Sequence, residues 1–140
     1  MLRLILRGRY WVLETEGFEA ELDELLSGKG GRVDERSKNK VVAHIARLAE
    51  RLPSGTEKWR HLRGRIYELK PKPFRIACYV DEPYIVVYAV WKKVGSKKRD
   101  SRIIDKVLAM ESEIARELGM FKARVLADTW DRGRENTNRN

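Results

Sequence analysis

Four basic residues, Lys70, Arg75, Lys92 and Lys93, stand at the ends of apolar segments and are the chain's best candidates for chemistry. Breaking an RNA phosphodiester by attack of the 2′-hydroxyl makes three demands. The hydroxyl must lose a proton, the phosphorane charge must be stabilised, and the leaving 5′-oxygen must gain a proton. Lys and Arg meet the second demand directly. Lysine also meets the proton transfers when neighbouring positive charge lowers its pKa. Around these four lie further cations suited to phosphate: Arg63, Arg65, Lys72, Lys97, Lys98 and Arg99. Trp59, Tyr67 and Trp91 are aromatic surfaces on which bases can stack. The plainer reading of the same residues is a set of solvated strand ends, and basic runs of this density bind more often than they catalyse. The residues alone leave both classes open: binding of nucleic acid or an acidic protein, and catalysis.

The charge distribution favours a polyanionic partner. Lys58 to Arg75 holds seven basic residues and one acid, Glu68; Lys92 to Arg102 holds six and one, Asp100. These stretches carry +6 and +5 of a net +9, so the rest of the chain is −2. Between them runs the apolar segment Ile76 to Trp91. A sheet returning on itself there brings both stretches to one end, a device for holding polyphosphate.

Other chemistries find little support. His44 and His61 fall in different segments with no Cys or second His at ligand spacing, so no zinc or iron site is expected, and no other cofactor is implied. His44 reads as a structural residue in mid-helix. No GxxxxGK[ST] loop or GxGxxG fingerprint occurs. No Ser–His–Asp arrangement can be built from spacing, and the acids of Glu14 to Glu24 read as the solvated face of a helix. The single cysteine, Cys78, excludes an internal disulfide and reads as a small core residue, in keeping with a reducing cytoplasm. Met1-Leu-Arg-Leu-Ile-Leu-Arg7 is too short and too broken by Arg for a signal peptide, and no apolar run reaches membrane-spanning length, so no membrane partner is expected. The absence of Gln, with 36% charged residues, leans towards a heat-adapted source.

The elements that must position the basic residues follow from hydrophobic period. Residues 2–7 and 9–14 are apolar segments either side of Gly8, the second of them a strand. Thr15 caps a short helix with Phe18, Leu22, Leu25 and Leu26 on its apolar face, and Ser27 to Gly31 ends it. A second helix spans about 34–52, with Val41, Val42, Ile45, Leu48, Ala49 and Leu52 inward. Pro53-Ser-Gly55 breaks it. Three strands follow, 62–69, 74–80 and 84–91, with a tight connection at 81–84. A basic loop, 92–99, leads into one long helix over about 101–127, whose apolar face includes Ile103, Ile104, Val107, Leu108, Ile114 and Leu118. The expected class is α+β: an antiparallel sheet of about four strands, two early helices on one face, and a long C-terminal helix. One domain covers 1–127, and 128–140 reads as a polar tail.

Three runs carry a family resemblance: Leu62-Arg-Gly-Arg-Ile-Tyr-Glu-Leu-Lys70, Phe74-Arg-Ile-Ala-Cys-Tyr79 and Ile85-Val-Val-Tyr-Ala-Val-Trp-Lys-Lys93. Their order and spacing resemble the RelE/HigB superfamily, especially its phage-derived branch. Phe18–Leu52 matches that family's two early helices, so the resemblance covers about residues 9–115. It implies a RelE-like fold and toxin activity: metal-independent cleavage of messenger RNA, often at the ribosome, neutralised by a cognate antitoxin. It assigns phosphate and transition-state contacts to Lys70, Arg75, Lys92 and Lys93, and a structural role to Glu68. Three features depart from the family. Lys70 stands where Arg is frequent, which keeps the charge and loses the bidentate fork. No Tyr or His follows Tyr88, whereas some members use one in proton transfer. The C-terminal part, about 111–140, is long. A second reading follows from these departures: a non-catalytic regulator that docks on a host ribosome or RNA polymerase.

Overall fold

The apolar runs condense into a six-stranded sheet covered by helices on both faces. The computed structural model describes the backbone of residues 1–138 and the side chains of residues 1–134. In chain order the elements are β1 (Leu2–Arg7), β2 (Trp11–Thr15), α1 (Phe18–Leu26), α2 (Glu35–Arg47), β3 (Trp59–Arg63), β4 (Ile66–Leu69), β5 (Phe74–Asp81), β6 (Tyr84–Lys92), α3 (Lys97–Ala109) and α4 (Glu111–Asn138). The strands lie in the order β1-β2-β6-β5-β4-β3. Every pairing is antiparallel except that of β2 with β6, which run parallel from Trp11 opposite Tyr84 to Glu14 opposite Val87.

This corrects the expected four-stranded antiparallel sheet with one C-terminal helix. Three local causes account for the difference. First, residues 2–7 are a full edge strand, β1, turning back on β2. The turn rests on the end of α2: Tyr10 donates its amide to the Ala49 carbonyl at 2.9 Å. A Cβ at Gly8 would come within 2.6 Å of that same oxygen, so the close approach requires glycine. Second, the expected strand over 62–69 is a hairpin. Gly64 adopts φ +55°, a left-handed conformation that reverses the chain between β3 and β4. Third, the C-terminal helix is two helices. Met110 ends α3 and keeps helical dihedrals, and α4 restarts at Glu111. α4 then continues through the segment expected as a polar tail to Asn138; residues 139–140 lie outside the described residues.

Smaller differences sit at helix ends. Gly17 rather than Thr15 occupies the N-cap of α1. α2 begins at an Asp34 cap, whose side chain accepts from the Ser37 amide at 3.2 Å, and stops at Arg47 rather than Leu52. Val42, expected inside, is 46% exposed.

Strand alternation splits the core in two. Val12, Leu69, Ile76, Cys78 and Val87 face α1 and α2, packing on Phe18, Leu22, Val41 and Ile45. Leu13, Ile66, Tyr79, Val86 and Trp91 face α3 and α4, packing on Val107, Ile114 and Leu118. β5 and β6 serve both clusters, which explains their near-continuous apolar sequence. Among the described residues, no helix is long and apolar enough to cross a membrane.

Candidate nucleic-acid interface

Strand register decides which basic residues meet. β3 pairs with β4 so that Arg60 lies opposite Glu68, and β4 with β5 so that Glu68 lies opposite Ala77. Lys70 follows Glu68 by two residues and Arg75 precedes Ala77 by two, so the pleat turns all four side chains to the α3–α4 face. Glu68, only 2% exposed, becomes their centre. Its Oε1 lies 3.6 Å from Arg75 Nε and 3.9 Å from Lys70 Nζ, and its Oε2 lies 3.5 Å from Arg60 Nη2. A buried carboxylate is tolerable only with such partners. Arg75 is itself buried and donates from Nη1 to the Phe74 carbonyl at 3.0 Å.

Lys70 is the least ordinary of these groups. Its side chain is 15% exposed, and its amine donates to the Thr56 carbonyl at 2.7 Å. Burial pushes its pKa below the usual lysine value. Glu68 opposes that shift, and the charges of Arg60, Arg75 and Lys93 deepen it. Lys93 is therefore close enough to be felt electrostatically. Its backbone amide donates to the Pro73 carbonyl at 2.9 Å, which ties the end of β6 to the start of β5.

The expected quartet does not assemble whole. Lys70, Arg75 and Lys93 share a neighbourhood. Lys92 pairs with Phe74, and strand alternation turns it to the α1–α2 face. Arg63 and Arg65 sit at the opposite end of β4 from Lys70, in the Gly64 hairpin. There Arg65 Nη1 donates to Asp81 Oδ1 at 3.2 Å. The first basic stretch is thus shared between two ends of the sheet. Lys72 is exposed, and its carbonyl accepts from Lys40 Nζ at 2.6 Å.

Trp91 cannot stack on a base. It is 6% exposed, packed between the sheet and α3, with Nε1 pointing 3.4 Å from Asp100 Oδ1. Trp59 and Tyr67 are half-buried and stacked on one another, their centroids 5.0 Å apart and their planes 11° from parallel. His61 lies against the same Tyr67 at 4.8 Å, and offers the more accessible ring.

Lys97, Lys98 and Arg99 form the first turn of α3, all exposed, behind a Ser96 cap whose hydroxyl accepts from the Arg99 amide at 3.4 Å. Three cations at the positive end of a helix oppose its dipole. A bound polyanion would relieve that opposition and meet the helix amides as well.

Arg60 is the site residue that the amino-acid pattern did not single out. Placing the chain reversal at Gly64 sets Arg60 opposite Glu68, so the hairpin was the missing signal. Among the described residues, no group of three His, Cys, Asp or Glu side chains offers a ligand set for a metal.

The chain matches no protein-family model. It is 31% identical over 117 residues to an uncharacterized protein of Aquifex aeolicus (strain VF5), an alignment covering 76% of this chain and 82% of that protein. With that identity over most of both chains, the protein belongs to the same family as this Aquifex relative.

Proposed function

We propose that the protein acts on RNA as a metal-independent endoribonuclease of the RelE type, working in the cytoplasm on ribosome-bound message and held in check by an antitoxin protein. The observation that carries this reading is Lys70, a largely buried amine of lowered pKa placed among Arg60, Arg75 and Lys93. An amine that gives up its proton more readily than ordinary lysine is suited to accept the 2′-hydroxyl proton. The 2′-oxygen then bonds to phosphorus and the bond to the 5′-oxygen breaks. In this reading Lys93 returns a proton to the leaving oxygen, and the first turn of α3 holds the flanking phosphates. The reading also draws on the three sequence runs that carry the family resemblance, which fall on β3 to β4, β5 and β6.

The test is incubation with ribosomes translating a defined message in EDTA. Cleavage that disappears in Lys70→Gln supports the reading. A message left whole by wild-type protein that sediments with ribosomes rejects it.

One observation favours a second reading. Glu68 already neutralises part of the Arg60, Lys70 and Arg75 charge, and α3 and α4 cover the core of that sheet face. A non-catalytic regulator docking on a ribosome or RNA polymerase needs only the exposed cations, Lys92, Lys93 and Lys97 to Arg99. Capture of either machine by a chain that leaves RNA intact supports this alternative.

A further inference from the structure

A second basic site lies on the other side of the sheet, where α2 ends and the chain approaches β3. A cleft of about 310 Å³ opens there, lined by His44, Arg47, Arg51 and Lys58 over the half-buried apolar side chains of Leu52 and Pro53. No acid lines it. Its cations differ from those around Glu68 in one decisive respect: among the described residues, Arg47, Arg51 and Lys58 enter no ion pair. His44 is oriented from behind, its Nδ1 lying 2.8 Å from the Lys40 carbonyl, which leaves Nε2 as the ring's other polar atom.

A helix C-terminus ordinarily repels anions. Here its carbonyls are already engaged. Leu48 and Ala49 donate to the Ile45 and Ala46 carbonyls at 3.1 Å each, Glu50 and Arg51 donate to the Arg47 carbonyl at 3.0 and 3.2 Å, and Tyr10 donates to the Ala49 carbonyl at 2.9 Å. The cations therefore dominate the cleft. His44, Arg47 and Arg51, spaced three and four residues apart, rise on one side of α2 and the turn after it. Lys58, on the approach to β3, completes the lining.

The volume and the lining narrow the ligand. A cleft of this size exceeds what an inorganic anion fills and falls at the lower end for organic ligands. Its apolar floor suits a flat ring, its cations suit phosphate oxygens, and guanidinium groups also stack on bases. We propose that this cleft binds a nucleotide through its phosphate, either a free 5′-mononucleotide or the phosphorylated end of an RNA strand. The proposal is independent of RNA cleavage, because the cleft lies on the α1–α2 face and Lys70 on the other.

The test is calorimetric titration of the full chain with AMP, adenosine and inorganic phosphate. AMP is expected to bind, adenosine not to bind, and phosphate to bind more weakly than AMP. Arg51→Gln and Lys58→Gln should each weaken AMP by about tenfold, the worth of one charged hydrogen bond. Lys106→Gln removes the same charge from the α3 side and should leave AMP binding intact. Competition by 5′-phosphorylated but not 5′-hydroxyl RNA identifies the strand end as the source; competition by neither identifies the free nucleotide. The proposal is overturned if AMP does not bind, if phosphate binds as well as AMP, or if Lys106→Gln weakens AMP as much as Arg51→Gln does. Both cleft substitutions fall on exposed side chains, and circular dichroism verifies that the variants are folded.

Discussion

The Glu68 carboxylate lies 3.6 Å from the Arg75 Nε, with the two side chains 3% and 8% exposed. Neither charge is hydrated, so each depends on the other and on Arg60 and Lys70 for compensation. Glu68→Gln keeps the shape and removes the charge. It should cost about 3 kcal/mol of unfolding free energy, because Arg75 is left buried and uncompensated. Urea denaturation measures this directly. A loss below about 1 kcal/mol would mean that water or rearranged neighbours replace the carboxylate, and that the cluster is not a structural unit.

The same carboxylate opposes a downward shift in the proton affinity of Lys70. In the folded chain that amine is shifted down from the ordinary 10.5, mainly by burial. A protonated Lys70 is thus a cost of folding that is full below its folded pKa and is relieved as pH rises from there through the unfolded value of 10.5. Glu68 is the influence holding the proton on. Glu68→Gln should therefore move the Lys70 titration to still lower pH, readable from the chemical shift of its Cε carbon. If catalysis uses the neutral amine, the alkaline rise of the cleavage rate moves with it. An unmoved or upward-moving titration would show that Glu68 is not the opposing charge.

The exposed cations make a separate, electrostatic prediction. Lys97→Gln, Lys98→Gln and Arg99→Gln should each reduce the salt dependence of single-stranded RNA binding by about 0.7 in the log–log slope. Arg63→Gln should leave the slope unchanged, because it removes a charge at the far end of β4. Fluorescence anisotropy across a salt series resolves the two cases. Equal effects from Arg63 and Lys98 would reject an oriented interface.

The sheet's centre was legible in the residues and its margins were not. β5 and β6 announce themselves through unbroken apolar runs, and α1 and α2 through helical spacing. The Gly64 hairpin escaped because a lone glycine between arginines, with no Pro, Asn or Asp, resembles an irregularity in one strand. β3 added nothing to correct that, since Trp-Arg-His-Leu-Arg is an edge strand with little to bury. The break at Met110 carries neither Gly nor Pro and keeps helical dihedrals, so period alone runs α3 into α4. The parallel pairing of β2 with β6 joins segments far apart in the chain, and no local pattern encodes it. The candidate site inherited these errors. An unbroken strand over 62–69 leaves Arg60 outside the sheet, whereas the hairpin sets it opposite Glu68; the proximity of Lys70 and Arg75 follows from the short connection between β4 and β5. Trp91 has basic neighbours in the chain, yet it lies on the face that α3 buries and presents no surface to a ligand.

The end of the sheet remote from Lys70 holds a different ion pair, which makes its own contribution to the pH dependence of stability. Lys122 of α4 donates to Asp81 Oδ2 of β5 at 2.6 Å, with its amine 5.2 Å from the Tyr84 ring. The Lys122 hydrogen bond is the largest cause holding the Asp81 pKa below the ordinary 3.8; the charges of Lys122 and Arg65 add to it. Because the folded pKa is depressed, the contribution is present above pH 3.8 and is lost as pH falls through the folded value. Lys122→Met keeps the aliphatic stem and removes the charge. It should cost about 0.5–1 kcal/mol at neutral pH, the range for a partly exposed pair. The penalty should then shrink towards zero in the acid window below pH 3.8, as Asp81 becomes protonated in both proteins. Urea denaturation at neutral pH and again in that window tests the coupling. Asp81→Asn completes a double-mutant cycle, in which the Lys122→Met penalty should vanish once the Asp81→Asn change is already present. A penalty that persists there, or that does not change with pH, would assign the stabilisation to packing of the Lys122 stem and its contact with Tyr84 rather than to the ion pair.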